Sequence, residues 1–160
     1  MDHKINSLKM IEGVKIKKLT KHCDDRGFFM EILRDDDELM TKFGQTSYTI
    51  SHPGVIKAFH WHEKQDDIWF VASGMAQVVL YDMRKDSPTY KETQVIFAGE
   101  DSPSVIVIPV GVAHGYRVIG NKPVGLFYHT TESYNPDAPD EKRIAFDDPE
   151  IGFDWETKNR

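Results

Sequence analysis

Apolar and polar positions alternate with a period of two along most of this chain, in short runs rather than long stripes. Val14-Lys15-Ile16-Lys17 alternates, as do Thr46, Tyr48 and Ile50 with their polar neighbours. Further runs of strand type cover residues 28–32, 55–61, 68–72, 76–81, 94–97, 105–108, 116–119 and 124–130. A period of two places alternate side chains on opposite faces of a strand. The breaks carry turn chemistry: Ser73-Gly74, Lys85-Asp86-Ser87-Pro88, Pro109-Val110-Gly111 and Gly120-Asn121-Lys122-Pro123. About ten short strands at this spacing predict an all-β sandwich or barrel. A single short helix is expected over residues 36–43. There is no internal repeat.

Length and composition narrow the picture. The 160 residues make one domain spanning 1–160, with a loosely held arm at 1–10 and a polar, frayed tail at 156–160. A hydrophobic share of 39% supplies a core and rules out a disordered chain. Twenty Lys and Arg against 26 Asp and Glu give a net charge of −6. Such a chain is a poor binder of nucleic acid or of an anionic membrane surface, so any phosphate must be held by a local cationic cluster. No apolar run reaches the roughly 18–20 residues of a membrane span. The first ten residues lack the apolar core and cleavage site of a signal peptide. One cysteine, Cys23, leaves no internal disulfide and fits a reducing compartment. A cytoplasmic protein is expected.

The chemistry-bearing residues concentrate in two segments. The first is Lys57-Ala58-Phe59-His60-Trp61-His62, followed by Asp67 and Gly74; the second runs from Pro109 through Gly111 to His114. On a strand, His60 and His62 project to one face while Phe59 and Trp61 point into a packing layer. Two imidazoles, an acid five residues on and a third histidine beyond a Pro-x-Gly turn resemble the two motifs of the cupin superfamily. Asp67 stands where the first motif has Glu, and Val118 where the second ends in Asn. The resemblance implies a cupin or jelly-roll β-barrel, the double-stranded β-helix.

Longer stretches narrow it. Asp25-Arg26-Gly27-Phe28-Phe29-x-Glu31, Gly54-Val55-Ile56-Lys57-x-Phe59-His60, Phe127-Tyr128-x-Thr130-Thr131 with Tyr134 and Pro136, and Asp147-Asp148-Pro149 with Trp155 are similar to the dTDP-4-dehydrorhamnose 3,5-epimerase family. Such enzymes remove a proton beside the C4 ketone of a nucleotide-linked 4-keto-6-deoxyhexose and return one to the opposite face. The resemblance assigns His60 as base and Tyr128 as acid. It places Arg26, Glu31, Gln45, Lys57, His114 and Tyr134 around the nucleotide sugar, with His62 or Asp67 as orienting groups. It also implies a homodimer and no required cofactor.

The departures matter equally. The family's Arg-Gly-Leu-His becomes Lys57-Ala58-Phe59-His60, which keeps a charge but loses the bidentate fork of arginine. A glutamine becomes His62, and a lysine that stabilises the enolate aligns with Asp67. The C-terminal aspartate that holds the family's base lies beyond Arg160, so Asp66 or Asp67 is the expected substitute. His60, His62, Asp67 and His114 form a set suited to a divalent transition metal, which would polarise the ketone in place of the lysine. Two alternatives therefore stand beside the epimerase: a metal-dependent cupin isomerase or oxygenase, and a non-catalytic sugar-binding cupin. Plainer roles compete for single residues. His60 and His62 are candidates for barrel-lining histidines bonded to each other or to Asp67. Arg26 is a candidate for a salt bridge to Asp25 or Glu31. Trp61, Trp69 and Phe70 read as core or dimer interface, and His129 as a packing or surface residue.

Overall fold

A computed structural model describes residues 10–160. All but Met10 of the expected N-terminal arm lies outside the described residues. Twelve strands are present: β1 Lys15–Lys18, β2 His22–Asp24, β3 Gly27–Phe29, β4 Gln45–Ser51, β5 Ile56–Trp61, β6 Asp67–Ser73, β7 Met75–Asp82, β8 Thr93–Gly99, β9 Ser104–Ile108, β10 Val112–Ile119, β11 Val124–Thr130 and β12 Lys142–Arg143. Two antiparallel five-stranded sheets result, with orders β1-β9-β6-β11-β4 (sheet 1) and β12-β5-β10-β7-β8 (sheet 2), plus a small β2–β3 hairpin. This is the jelly-roll that the strand spacing and the cupin resemblance predict.

The alternation explains the layers. Trp69 and Val71 of β6, Ile106 and Ile108 of β9, and Leu126 of β11 turn inward from sheet 1. They meet Val78 and Leu80 of β7 and Tyr116 and Val118 of β10 from sheet 2. Each fully buried aliphatic chain of this kind stabilises the fold by about 1.5–3 kcal/mol. The residues between them point outward and are covered in turn. Ile68, Phe70, Val105 and Val107 lie under Met30, Ile32, Leu39 and Met40. Phe59, Val79 and Ala113 lie under the C-terminal segment, where Trp155 packs on Phe59 with ring centroids 5.6 Å apart. Covering both outer faces is why β6 and β7 read as continuous apolar runs rather than clean alternations.

Two glycines are demanded by local geometry. Gly74 takes φ +71° in the tight connection of β6 to β7. Gly115 sits at the register shift between β10 and β5, where a Cβ would overlap the backbone and side chain of Ala58.

Three expectations change. The helix over residues 36–43 is absent; a single 3-10 turn at Asp35–Asp37 stops where Glu38 adopts left-handed geometry, φ 56°. Leu39 and Met40 gain more by packing irregularly on sheet 1 than a short isolated helix would offer. The strand expected over 28–32 is cut to Gly27–Phe29, because Met30 and Ile32 join that same covering layer. The tail is tied down in part, Arg117 Nη1 donating to Thr157 Oγ1 at 3.1 Å and Lys158 pairing with Asp154. Among the described residues no helix is long and apolar enough to cross a membrane.

Candidate active site

Between the two sheets opens a cavity of about 740 Å³. Sheet 2 contributes Lys57, His60 and His114; sheet 1 contributes Gln45, Asp67, Trp69 and Tyr128. His62, just past the end of β5, and Tyr134, in the segment after β11, complete the predicted residues that line it.

His60 lies mid-sheet, paired with His114 of β10 on one side and Arg143 of β12 on the other. Its Nδ1 is 2.8 Å from Oε1 of Glu141, the residue before β12. The carboxylate lies off the ring N–H axis, so this is an ion-pair contact without hydrogen-bond alignment, and Nδ1 has no other partner. Burial is the largest influence on the imidazole and lowers its pKa below the ordinary 6.5; Glu141 opposes the shift, while His114 and Arg143 add to it. A neutral imidazole is the form able to accept a proton.

The expected orienting acids serve other groups. Asp66 accepts Val110 N at 3.0 Å and donates its own backbone N–H to Thr131 Oγ1 at 2.9 Å, closing loops. Asp67, buried, lies 3.5 Å from His62 Nε2 and 3.4 Å from His114 Nε2. It also accepts Gln65 Nε2 at 2.8 Å and Trp69 Nε1 at 3.2 Å. Burial alone would raise the Asp67 pKa, but His114 and His62 outweigh it and hold the carboxylate ionised. Glu141, which no motif of the sequence singles out, takes the place beside His60. Strand pairing alone reveals it, because Arg143 sits opposite His60 and carries Glu141 with it.

The predicted metal set divides. Ligand atoms of His62, Asp67 and His114 all lie within 4.8 Å of one another, whereas His60 is not in the cluster. Its nitrogen is turned toward Glu141 instead.

Tyr128 stands on the inner face of β11, half-buried and packed against the core. His129 points outward, where its Nδ1 lies 2.7 Å from Thr46 Oγ1. Gln45 accepts Tyr134 N at 2.7 Å and so anchors the segment bearing Tyr134. Lys57 Nζ donates to Thr49 Oγ1 at 3.1 Å, and Lys64 adds a second cation to the lining. Trp69, read as core, also lines the cavity, its indole N–H donating to Asp67. Phe70 is core, as expected.

Arg26 and Glu31 do not line this cavity. Arg26 occupies the tip of the β2–β3 hairpin with its side chain 85% exposed, paired with Asp24 rather than with Asp25 or Glu31. Glu31 contacts Arg34 at 3.2 Å. The hairpin pairs only with itself, and every residue of its two strands is exposed.

Comparison with known proteins agrees with this architecture. The spore coat polysaccharide biosynthesis protein SpsL of Bacillus subtilis is 63% identical over 151 residues, covering 94% of this chain and 100% of that protein. The dTDP-4-dehydrorhamnose 3,5-epimerase of Methanothermobacter thermautotrophicus is 30% identical over 91% of this chain and 80% of its own length. Among solved structures, the Legionella pneumophila 3,5-epimerase in complex with dTDP-4-keto-L-rhamnose superimposes with a TM-score of 0.82. It is 28% identical, with 92% of this chain and 81% of that one covered. The sequence profile of the dTDP-4-dehydrorhamnose 3,5-epimerase family matches residues 9–160, and the chain belongs to that family.

Proposed function

We propose that this chain is an isomerase that epimerises a nucleotide-linked 4-keto-6-deoxyhexose next to its keto group, with His60 as base and Tyr128 as acid. One observation carries the reading: His60 and Tyr128 stand on different sheets and line one cavity between them. Inversion at carbon needs a proton removed from one face of the ring and delivered to the other. Two groups on opposite walls meet that requirement.

The C4 carbonyl acidifies the protons at C3 and C5. His60 takes one of them, the electron pair moves into the enolate, and Tyr128 delivers a proton to the opposite face as the carbonyl re-forms. The Glu141 carboxylate, 2.8 Å from Nδ1, stabilises the imidazolium as it forms. Every step is a proton transfer, so the reaction requires no cofactor. Lys57 and Lys64 offer the cationic charge that a nucleotide diphosphate needs in a net-acidic protein.

The functional unit on this reading is a homodimer. Phe28 and Phe29 of the β2–β3 hairpin are 59% and 63% exposed, and Tyr48 and Ile50 form an exposed apolar face on the edge strand β4. A second copy covering these surfaces brings Arg26 and Glu31 to the neighbouring cavity. The exposed free thiol of Cys23 suits the reducing cytoplasm.

The test is proton NMR of dTDP-4-keto-6-deoxyglucose in D₂O with the purified protein. Wild type is expected to exchange the C3 or C5 proton for deuterium. His60→Ala should slow exchange by roughly a hundred- to ten-thousand-fold. Tyr128→Phe should retain exchange while losing net inversion. Absence of exchange with folded wild-type protein would refute the proposal.

A further inference from the structure

We infer that His62, Asp67 and His114 form a binding site for one divalent transition-metal ion, such as Zn²⁺, in the cavity wall. The orientation of the two histidines carries the argument. His62 Nδ1 donates to the Asp140 carbonyl at 2.5 Å, and His114 Nδ1 donates to the Val112 carbonyl at 2.9 Å. A carbonyl oxygen only accepts, so each Nδ1 bears the hydrogen. In a neutral imidazole each Nε2 is then a bare lone pair. Both of these nitrogens turn toward Asp67, itself an acceptor. Two imidazole nitrogens and a carboxylate brought together in a buried place share a positive centre: a proton, which Asp67 favours on His62 against the effect of burial, or a metal ion that takes its place.

The spacing fits a metal ion. The Nε2-to-oxygen separations of 3.4 and 3.5 Å are longer than the roughly 2.7–2.9 Å of a charge-assisted N–H···O bond. His62 faces Oδ1 and His114 faces Oδ2, each near the separation of about 3.4 Å between two ligand atoms on a tetrahedral ion with bonds of about 2.1 Å. All three ligand atoms fall within 4.8 Å of one another.

The surroundings hold the donors in that pose. Backbone carbonyls fix both ring orientations, the arrangement that typically backs metal-ligating histidines. Asp140 is itself locked, its carboxylate accepting Glu63 N, Lys64 N and Gln65 N at 2.8, 2.9 and 3.1 Å. Gln65 and Trp69 bond the Asp67 oxygens, and the Trp69 ring meets His114 edge-on at 5.2 Å. Two neutral imidazoles and one carboxylate suit zinc and its neighbours, leaving coordination open toward the cavity. When bound there, such an ion supplies Lewis acidity to an oxygen entering the cavity.

The test measures binding, independent of turnover. Full-length protein is stripped with a chelator, dialysed, and titrated with Zn²⁺, and separately with Co²⁺ to read the visible bands of tetrahedral coordination. Wild type is expected to hold one equivalent per chain. His62→Gln and, as a second variant, His114→Gln should lose it, while His60→Ala keeps it in full. Thermal melts confirm that each variant used is folded. The site is refuted if wild type retains no stoichiometric Zn²⁺ at micromolar ion. It is also refuted if both Gln variants bind as wild type does, or if His60→Ala abolishes binding. None of these results bears on proton exchange by His60, which the NMR assay reads separately.

Discussion

At the scale of single residues, the pairing of His60 with Glu141 makes a prediction that a structural role would not. Burial lowers the His60 pKa, aided by His114 and Arg143, and Glu141 alone among the named neighbours raises it. A base must be deprotonated to act, so kcat/KM should fall on the acid side with a limb below 6.5. Glu141→Gln removes the one group that raises the pKa, so that limb should move to still lower pH. The plateau should drop as the ring loses its orienting charge. The expected loss in kcat is roughly 10- to 1,000-fold, smaller than the ~10⁴ seen when a fully buried carboxylate is removed from behind a catalytic histidine. Glu141→Asp should recover part of the rate. A pH profile and plateau identical to wild type in the Gln variant would show that Glu141 does not serve the base.

At the scale of elements, Asp82 is the joint that holds the end of β7, the β7–β8 connection and the N-terminal segment together. Fully buried, it accepts Arg84 N, Arg84 Nε and Nη2, Ser87 Oγ and Thr89 Oγ1, at distances from 2.6 to 3.0 Å. Arg84 in turn donates to the Glu12 carbonyl. Burial pushes the Asp82 pKa up, but these donors outweigh it and hold it below the ordinary 3.8. A depressed folded-state pKa means stability present above 3.8 and lost as pH falls toward the folded value. Asp82→Asn should therefore cost about 2–4 kcal/mol at neutral pH. Denaturation across about pH 7 to 3 should show the gap to wild type narrowing in acid; a gap constant with pH would reduce Asp82 to a shape-filling role. Elements were also where the sequence was most and least readable. Strands such as β4 and β11 were legible because each buries one face, so the period of two is written in the residues themselves. The segment after Asp35 misled because Leu39, Met40 and Phe43 have helical spacing, yet the partner that decides their conformation is the outer face of sheet 1, distant in sequence. In the same way, the motif spacing brought out His60, His62, Asp67 and His114. Their division between Glu141 and the Asp67 cluster depends on β12 pairing with β5, which no local pattern encodes.

At the scale of the whole molecule, the question is how a cavity whose predicted residues include Arg26 can function when Arg26 sits exposed on a hairpin outside its lining. The proposed dimer answers it: a hairpin that adds nothing to its own cavity is free to add to a neighbour's. The exposed apolar surface supports that use: Phe28 and Phe29 belong to the hairpin's second strand, and Tyr48 meets Phe127 with ring centroids 4.6 Å apart at the sheet edge. Such an edge invites association unless it is covered. In a twofold dimer each cavity receives the partner's hairpin, so the two halves of a site are genetically separable. Arg26→Ala and His60→Ala should each be inactive alone. Mixed after dissociation and reassembly in equal amounts, they should regain activity. Half of the dimers then pair unlike chains and each of these holds one intact site, so about a quarter of wild-type activity is expected. Sedimentation or light scattering should find a dimer in wild type and a monomer after Tyr48→Glu with Ile50→Glu. If the mixture stays inactive while the dimer forms, Arg26 does not act across the interface, and the phosphates must be held by Lys57 and Lys64 of the same chain.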